Sequence, residues 1–556
     1  MNEDTLYLVA IGGTGMRCLE SFVHLCAIGL FDSKEVNILM LDTDGDNGNQ
    51  DRTFKLIELY NKIKSTSDRE EDRGGKSRSN TFFSAKLNLT MFAPKYSLDA
   101  NYKSLAQISN EADETVRVNR DLAKLFLSSD AQSFHLKEGY RAQTHLGSHL
   151  MYLAIVNAVS EAKKKGNNAE LYDRELKKYI ESVGENDRRR VFLFGSIFGG
   201  TGASSIPVLP RAFAEALKLT TGKEISAKFG ASLLTEYFKF NNPSEAQRKR
   251  TGQNVIADSN YFTLNSQAAL QFYQHDKTVE KNYKSLYNVG WPVEPNDFSQ
   301  KNSAETITGG QAQKNPCHVT ELMCAFAAHH FFTTDDLPKS SKPDFYFRTI
   351  EFKNNAPHFS FEDMVDSQNV AKLKNAVAGF YSIALMTLVY HGGAGEKAEG
   401  ITGWVDRAKS SRGQDGQQVA NSYDEIDSHT KKLLNDYFKS FLFMVDSTGQ
   451  ISNGWLYQLK ASFNGDFLLP ESAFGSTWQQ IKTINPGTIL PDAPNQWGKK
   501  KGPLGIFAKE PTDLFVEEFI AQHGKSTDNQ GNASAKERLI AQLYNTVTSL
   551  QKVITN

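Results

Sequence analysis

Cysteine is scarce in this chain of 556 residues, and the four that occur are Cys18, Cys26, Cys317 and Cys324. Their spacing matches neither a C-x-x-C redox pair nor a zinc-ligand pattern, so a disulfide framework and a structural zinc site drop out. The near-helical interval within each pair reads as buried thiols. An excess of charge of one sign is lacking as well: 63 basic residues stand against 64 acidic ones, a formal net charge of −1. That balance gives no electrostatic reason to expect nucleic acid or an anionic membrane as a partner. No stretch of about eighteen apolar residues is present to span a bilayer. The opening MNEDTLYLVAIGG has neither the charged start nor the small-residue cleavage site of a secretory signal, and the expectation is a cytoplasmic protein. The phosphate loop G-x-x-x-x-G-K-[ST] is missing too, since Gly222-Lys223 is followed by Glu224 and no glycine stands five positions earlier. His318, His329 and His330 have no carboxylate or cysteine at ligand spacing and read as structural.

What is present is a unit that recurs. Residues 6–11 form a short apolar run ending in Gly12-Gly13-Thr14-Gly15, and the CLESFVHLCAIGLF that follows is apolar at helical spacing. Residues 36–41 are a second strand, closing on Asp42-Thr43-Asp44-Gly45-Asp46. Residues 66–100 begin polar and charged ahead of an extended piece and read as an exposed, mobile insertion. Helices are expected over 111–126 and from about His145. Residues 189–196 are a strand leading into Gly199-Gly200-Thr201-Gly202, then a helix over 206–219 whose start Pro210 makes irregular. Further strands are expected at 226–235 and 286–292. An apolar strand thus repeatedly delivers a glycine-rich turn to a helix start. Free amides at a helix N-terminus attract anions, and glycine lets a phosphate approach the backbone closely. Several such turns gathered at one edge of a parallel sheet make a nucleotide pocket. Each turn alone is a weak signal, because a tight turn explains glycines equally well.

Taken in order, the turns resemble the tubulin/FtsZ superfamily of GTP-binding proteins over roughly residues 5–330. IGGTGMR at 11–17 resembles its first phosphate loop, LMLDTDGDN at 39–47 its second, EGYRAQTHLG at 138–147 its third, and FGGTGASSIPVLP at 198–210 its signature glycine loop, with Ala203-Ser204 replacing the final Ser/Thr-Gly pair. The fold implied is an α/β parallel sheet of Rossmann-like order with a long central helix, followed by a divergent C-terminal α+β domain with a helical extension. The nucleotide contacts implied are Gly12, Gly13, Thr14, Gly15 and Met16; Gly139, Arg141 and Ala142; and Gly199, Gly200, Thr201, Gly202 and Ala203. Asp42 and Asp44 would sit near Mg²⁺ carried by the nucleotide, with no metal held by the protein alone. Arg141 is either a γ-phosphate contact or a surface arginine. Glu245 and Arg248 are either ribose contacts or an ordinary ion-paired helix start, and Asn315 either reads guanine or caps the central helix.

The implied organisation is a nucleotide-binding domain over 1–308, the central helix over 309–333, a second domain over 334–524 and a linker with a C-terminal helix over 525–556. Within the last two, helices are expected at 370–390, 421–443 and 537–554. The family's catalytic motif after the central helix, G-x-x-N-x-D-x-x-[DE], is absent. Asp335, Asp336, Glu362, Asp363 and Asp366 are the carboxylates left to replace it. The resemblance therefore implies a GTP- or GDP-binding protein that assembles head to tail, with slow hydrolysis completed between subunits. A non-polymerising sensor or scaffold of a bacterial multi-gene system, for example one of defence, is the alternative. A Rossmann-type enzyme using a dinucleotide or adenosyl cofactor is the third reading. The C-terminal helix either packs on its own domain or binds a protein partner.

Overall fold

Seven short apolar runs become the strands of one sheet: β1 (Thr5–Ile11), β2 (Glu35–Leu41), β3 (Lys86–Phe92), β4 (Arg190–Phe194), β5 (Lys228–Leu234), β6 (Tyr283–Val289) and β7 (Asp344–Arg348). The computed structural model describes residues 5–31, 34–64, 81–94, 127–133, 139–251 except 141, 257–292, 295–297, 309–335, 342–354, 356–389, 428–445, 451–484 except 453 and 464, 511–522 and 535–555, with Leu125, Leu136 and Leu337 between them. The strand order is β3-β2-β1-β4-β5-β6-β7, and every pairing in it is parallel. A parallel sheet is covered on both faces, which is why its central strands are apolar throughout rather than alternating.

β1 shows how the faces divide. Leu8 and Ala10 join a core built with helices α1 (Gly12–Ala27) and α2 (Gly48–Lys64), whereas Tyr7, Val9 and Ile11 join a core built with α3 (Thr144–Lys165), α4 (Leu171–Val183) and α5 (Leu209–Thr221). α6 (Phe262–His275) precedes β6. α7 (Val319–Thr333) follows it and is buried almost all round, as expected of a helix that is apolar on every side. His318 caps α7: its Nδ1 accepts from the Thr320 amide at 3.2 Å, and Glu321 accepts from the His318 amide at 2.9 Å. Burial pushes the His318 imidazole down to about 3, so it is neutral and free to accept.

The later helices, α8 (Ser367–Leu388), α9 (Ser428–Phe441), α10 (Pro511–Ala521) and α11 (Ala535–Thr555), pack outside α1 and α2 and share their core. Tyr437 hydrogen-bonds His24 Nδ1 at 3.2 Å, and Trp455 Nε1 donates to Ser21 Oγ at 3.1 Å, so the C-terminal half is tied directly to α1. The apolar stripe of α11, including Leu539, Leu543 and Val547, is buried within the chain. Packing on its own chain, one of the two readings of this helix, accounts for the stripe.

Several expectations shift. The central helix begins at Val319 rather than at 309, and its cap is His318, not Asn315. The stretch 66–100 contains β3, a full strand of the sheet, while its residues 66–80 lie outside the described residues, as does almost all of the helix expected over 111–126. The linker ahead of α11 falls outside them as well. The helix expected over 206–219 starts three residues later, as α5 at Leu209, after a separate short helix Thr201–Ser205; Pro210 sits in its first turn and forfeits no hydrogen bond. All four cysteines are free and buried.

α1 can lie against β4 only because Gly15 has no side chain. A Cβ there would stand 2.6 Å from the Phe194 carbonyl oxygen and 3.1 Å from the Ala10 carbonyl carbon. Gly15→Val is expected to cost about 1–3 kcal/mol of stability, read as a lowered urea midpoint at unchanged slope.

Candidate functional site

Parallel strands all end on one edge, and there β1, β2 and β4 release the chain into turns that converge. The turn after β1 is immediate: Gly12 adopts φ +65°, a left-handed conformation that suits glycine, and is already the first residue of α1. Its N-cap, Ile11, has no oxygen on its side chain to satisfy the first amides of the helix. After β4 the chain passes through Gly199 and Gly200 into the helix Thr201–Ser205, which also lacks a side-chain cap. Gly202 is obligatory in that turn, since a Cβ on it would stand 2.5 Å from the Ser196 carbonyl oxygen.

Thr201 is the meeting point. Its Oγ1 lies 3.1 Å from Thr43 Oγ1 on the β2 turn. A Cβ on Gly12 would lie 3.3 Å from the Thr201 Cβ, and one on Gly139 would lie 3.7 Å from its Oγ1. The turn before α3 holds Gly139 at φ +81° and Ala142 at φ +63°, the latter a strained value for a residue with a Cβ. Ser148 Oγ donates to the Ser204 carbonyl at 2.7 Å, which fastens α3 to the short helix. Uncapped amides at two helix starts and their dipoles thus face one space, the arrangement that binds anions.

That space is a cavity of about 810 Å³, part of it open to solvent. Its floor is Arg17, which is fully buried and pairs with Glu321 of α7 at 2.5 Å while also donating to the Tyr237 hydroxyl. Burial opposes the charge on Arg17, but Tyr237 and Glu321 outweigh it and hold the guanidinium firmly protonated. One wall is aromatic: Phe198, Phe238, Phe240 and Phe262 pack ring on ring, with Phe198 and Phe262 at 4.7 Å and Phe240 and Phe262 at 5.4 Å between centroids. Asp42 and Asp44 line the cavity as well. Asp44 accepts the Gly310 amide at 2.6 Å. Asp42 accepts the Asp44 amide at 3.2 Å through Oδ1, and its buried Oδ2 has no hydrogen-bond partner. Burial first, and then the neighbouring Asp44, push the Asp42 carboxyl up to about 7.

Most of the expected phosphate contacts are brought together: Gly12, Gly13, Thr14, Gly139, Ala142, Gly199, Gly200, Thr201 and Gly202 all line this cavity. Gly15 and Met16 do not. Gly15 packs on β4, and Met16 is wholly buried with its carbonyl accepting from Thr53 Oγ1 at 3.0 Å. Ala203 lines the neighbouring cleft instead. Arg141 lies outside the described residues. Glu245 is exposed at the start of the short helix Glu245–Thr251, and Arg248 is paired with Asp258 rather than with Glu245. Neither lines the cavity, which leaves the ordinary ion-paired reading for Arg248.

Asn315 is engaged elsewhere. Its amide donates to Asn49 Oδ1 at 3.0 Å, and its Oδ1 accepts from Asn49 Nδ2 at 3.3 Å, stitching the loop before α7 to the start of α2. Gln313, two residues earlier, is the amide that reaches the cavity, where its Oε1 accepts from Asn47 Nδ2 at 2.9 Å. None of the described carboxylates after α7 lines the cavity. Asp335 is exposed beside Arg190, the first residue of β4, so it stands at the other end of the strand whose last residue feeds the glycine turn. Glu362 pairs with Lys374 at 2.6 Å, Asp366 lies 4.0 Å from His330 Nε2, Asp363 falls in the short turn Phe361–Asp363, and Asp336 lies outside the described residues.

Sequence reasoning passed over Arg17, Asn47, Gln313 and the aromatic wall. Arg17 and Asn47 stood inside quoted motifs, and YFKF at 237–240 carried the aromatic signal. Among the described residues no group of three or more His, Cys, Asp or Glu side chains forms a metal cage. No helix among them is long and apolar enough to cross a membrane. Neither a known family model nor a curated protein matches the chain.

The raised Asp42 value sets a pH dependence. In the unfolded chain this carboxyl releases its proton near 4, whereas in the fold it keeps the proton to about 7. Its contribution to stability is therefore fully present below about 4 and lost as the pH rises to about 7. Asp42→Asn is expected to be increasingly more stable than the parent from about pH 5 to about pH 8, measured as thermal midpoints of the ligand-free protein. A constant difference across that range would contradict it.

Proposed function

We propose that this chain is a guanine-nucleotide-binding protein of the tubulin/FtsZ type, holding GTP or GDP in the cavity at the carboxyl edge of the sheet. The observation that carries the reading is that the β1 turn at Gly12–Thr14 and the β4 turn at Gly199–Gly202 line the same cavity, with Thr201 of the β4 turn lying against Gly12. A diphosphate laid there receives amides from both sides, and the aromatic wall beside it suits the apolar faces of a sugar and base. Gln313 supplies a side-chain amide to that cavity for a base edge, the role expected of Asn315.

Asp42 would repel a phosphate placed directly against it. Its buried, unpartnered Oδ2 suits an oxygen-seeking cation, so Asp42, oriented by the Asp44 amide, is the residue that would hold Mg²⁺ or its waters. Mg²⁺ there would offset the charge of the phosphate tail. The cation would be shared with the nucleotide rather than caged by the protein.

Assembly and hydrolysis are a second tier of the proposal. Asp335 is exposed at the edge of the sheet opposite the cavity, so it can reach a nucleotide only in another copy stacked head to tail, a heterologous contact. The missing catalytic spacing favours slow turnover, because phosphoryl transfer depends on exact positioning. A scaffold or sensor that binds nucleotide without polymerising fits the same absence. The dinucleotide reading draws on Gly13-x-Gly15 and on the position of Asp42 directly after β2, where Rossmann enzymes place a ribose-binding carboxylate. It leaves the β4 glycine turn without a role.

Mass spectrometry of the protein incubated with GTP, ATP and NAD together is expected to retain the guanine nucleotide. Retention of NAD would overturn the proposal in favour of the dinucleotide reading. Gly200 has an ordinary φ of −87°, so Gly200→Asp should fold normally. The carboxylate it adds to a residue lining the cavity should weaken GTP binding by at least about tenfold; unchanged affinity would remove the β4 turn from the site. Phosphate release per chain is expected to rise with protein concentration if Asp335 completes a neighbour's site. A rate independent of concentration argues for the non-polymerising form.

A further inference from the structure

We infer that the cleft behind the β4 glycine turn, between α3, α5 and α6, is a second small-ligand site that takes an amphiphilic anion, a carboxylate on a short apolar body, and that its occupancy is coupled to the nucleotide cavity. The coupling rests on the nucleotide reading above; the binding does not.

The cleft takes in about 1520 Å³ including its open mouth. Its walls are apolar, with Ile197, Pro207, Val208, Ala269 and Phe272 among them, and this composition is that of a pocket for an organic ligand rather than a bare ion. Polar groups that could recognise a head group gather on α3 and at the start of α5. His145 and His149 lie one turn apart on α3 and both line the cleft. Burial lowers both imidazoles below their ordinary range, so near neutral pH they act as hydrogen-bonding groups and not as charges. Arg211, at the start of α5, supplies the positive charge. Its guanidinium sits 5.5 Å from the Tyr152 ring centroid, and no ion pair of Arg211 occurs among the described residues. The one carboxylate in the lining, Asp276, is already used: its Oδ1 accepts the Thr278 and Val279 amides, each at 2.8 Å.

Tyr273 is the observation that calls for an occupant. It lines the cleft, its side chain is 2% exposed, and its buried hydroxyl has no hydrogen-bond partner. Native proteins rarely leave such a group unsatisfied. A carboxylate entering between Arg211 and the two histidines would accept that hydrogen bond, while its apolar body lay along Val208, Ala269 and Phe272.

The β4 turn forms part of the wall between the two cavities. Ile197 and Ala203 face the cleft, whereas Phe198 and Gly199–Gly202 face the nucleotide cavity, and Ala142 borders both. Asn265 of α6, another cleft residue, donates to the Phe198 carbonyl at 3.1 Å and fastens the turn from the cleft side. A ligand seated there bears on the turn proposed to cradle the phosphates, and by linkage whatever factor it imposes on nucleotide affinity is imposed on its own affinity by the nucleotide.

The test uses the full chain with anilinonaphthalene sulfonate as a fluorescent probe and decanoate as competitor. Decyltrimethylammonium is the control for charge. Decanoate is expected to displace the probe from one saturable site per chain, and the cation is expected not to. Ala269→Trp, which fills the cleft, should abolish that displacement. Tyr273→Phe should weaken decanoate by about tenfold with a thermal midpoint unchanged or raised, since no hydrogen bond is lost in the empty protein. Failure of decanoate to displace the probe, equal competition by the cation, or unaltered binding in Ala269→Trp would each overturn the site. Decanoate should also shift the GTP dissociation constant in the parent and not in Ala269→Trp. Decanoate binding without that shift would overturn the coupling alone, and decanoate binding in a protein that does not bind GTP would count against the nucleotide reading and leave the cleft standing.

Discussion

Because all seven strands run the same way, the sheet has one edge where strands end and one where they begin. At the ending edge the chain must turn out of the sheet and start a helix. The first amides of each helix then have no carbonyl behind them within the helix. At α1 and at the helix Thr201–Ser205 no side chain takes them up. This unmet hydrogen-bonding capacity, repeated on neighbouring strands and left bare by glycine, is what the proposed nucleotide site rests on. In the proposed site the aromatic wall, the acidic pair and Gln313 would refine what those amides hold.

Amides can act as a preformed anion site only if the helix starts do not move, and the structure fixes them from beneath. Arg17 projects from α1 to Glu321 at the start of α7, with Tyr237 completing a buried triangle, and Glu321 simultaneously caps its own helix. Removing one member of such a buried pair would strand the other without compensation, a cost of about 3–5 kcal/mol. The same α1 is clamped from outside by the C-terminal helices through His24, Tyr437 and Trp455. The segment after α7 therefore bears on the rigidity of the pocket even though none of its described residues lines it.

Much of this was legible in the sequence. The apolar run before each glycine turn marked β1 and β4 to within a residue or two, because a strand buried on both faces must be apolar throughout. The glycines marked the site because only they permit the φ of Gly12 or the close approach at Gly202. What stayed hidden depends on side chains separated far along the chain. Nothing near Arg17 announces that Glu321, 304 positions later, will neutralise it. Asn315 looked like a cap because it precedes Pro316, yet an imidazole three residues on takes that place, and Asn315 is drawn instead into a ladder with Asn49. Glu245 and Arg248 looked paired by helical spacing, and Asp258 from the next turn captured the arginine.

Hydrogen exchange of the main-chain amides tests the shared clasp most directly. These amides exchange rapidly when a helix start is bare and slowly when a ligand oxygen occupies them. On adding GTP with Mg²⁺, the amides of Gly12–Thr14 and those of Gly199–Gly202 should gain protection together and at the same nucleotide concentration. Protection confined to the β1 turn, or seen at neither turn while nucleotide remains bound, would show that the phosphates rest elsewhere.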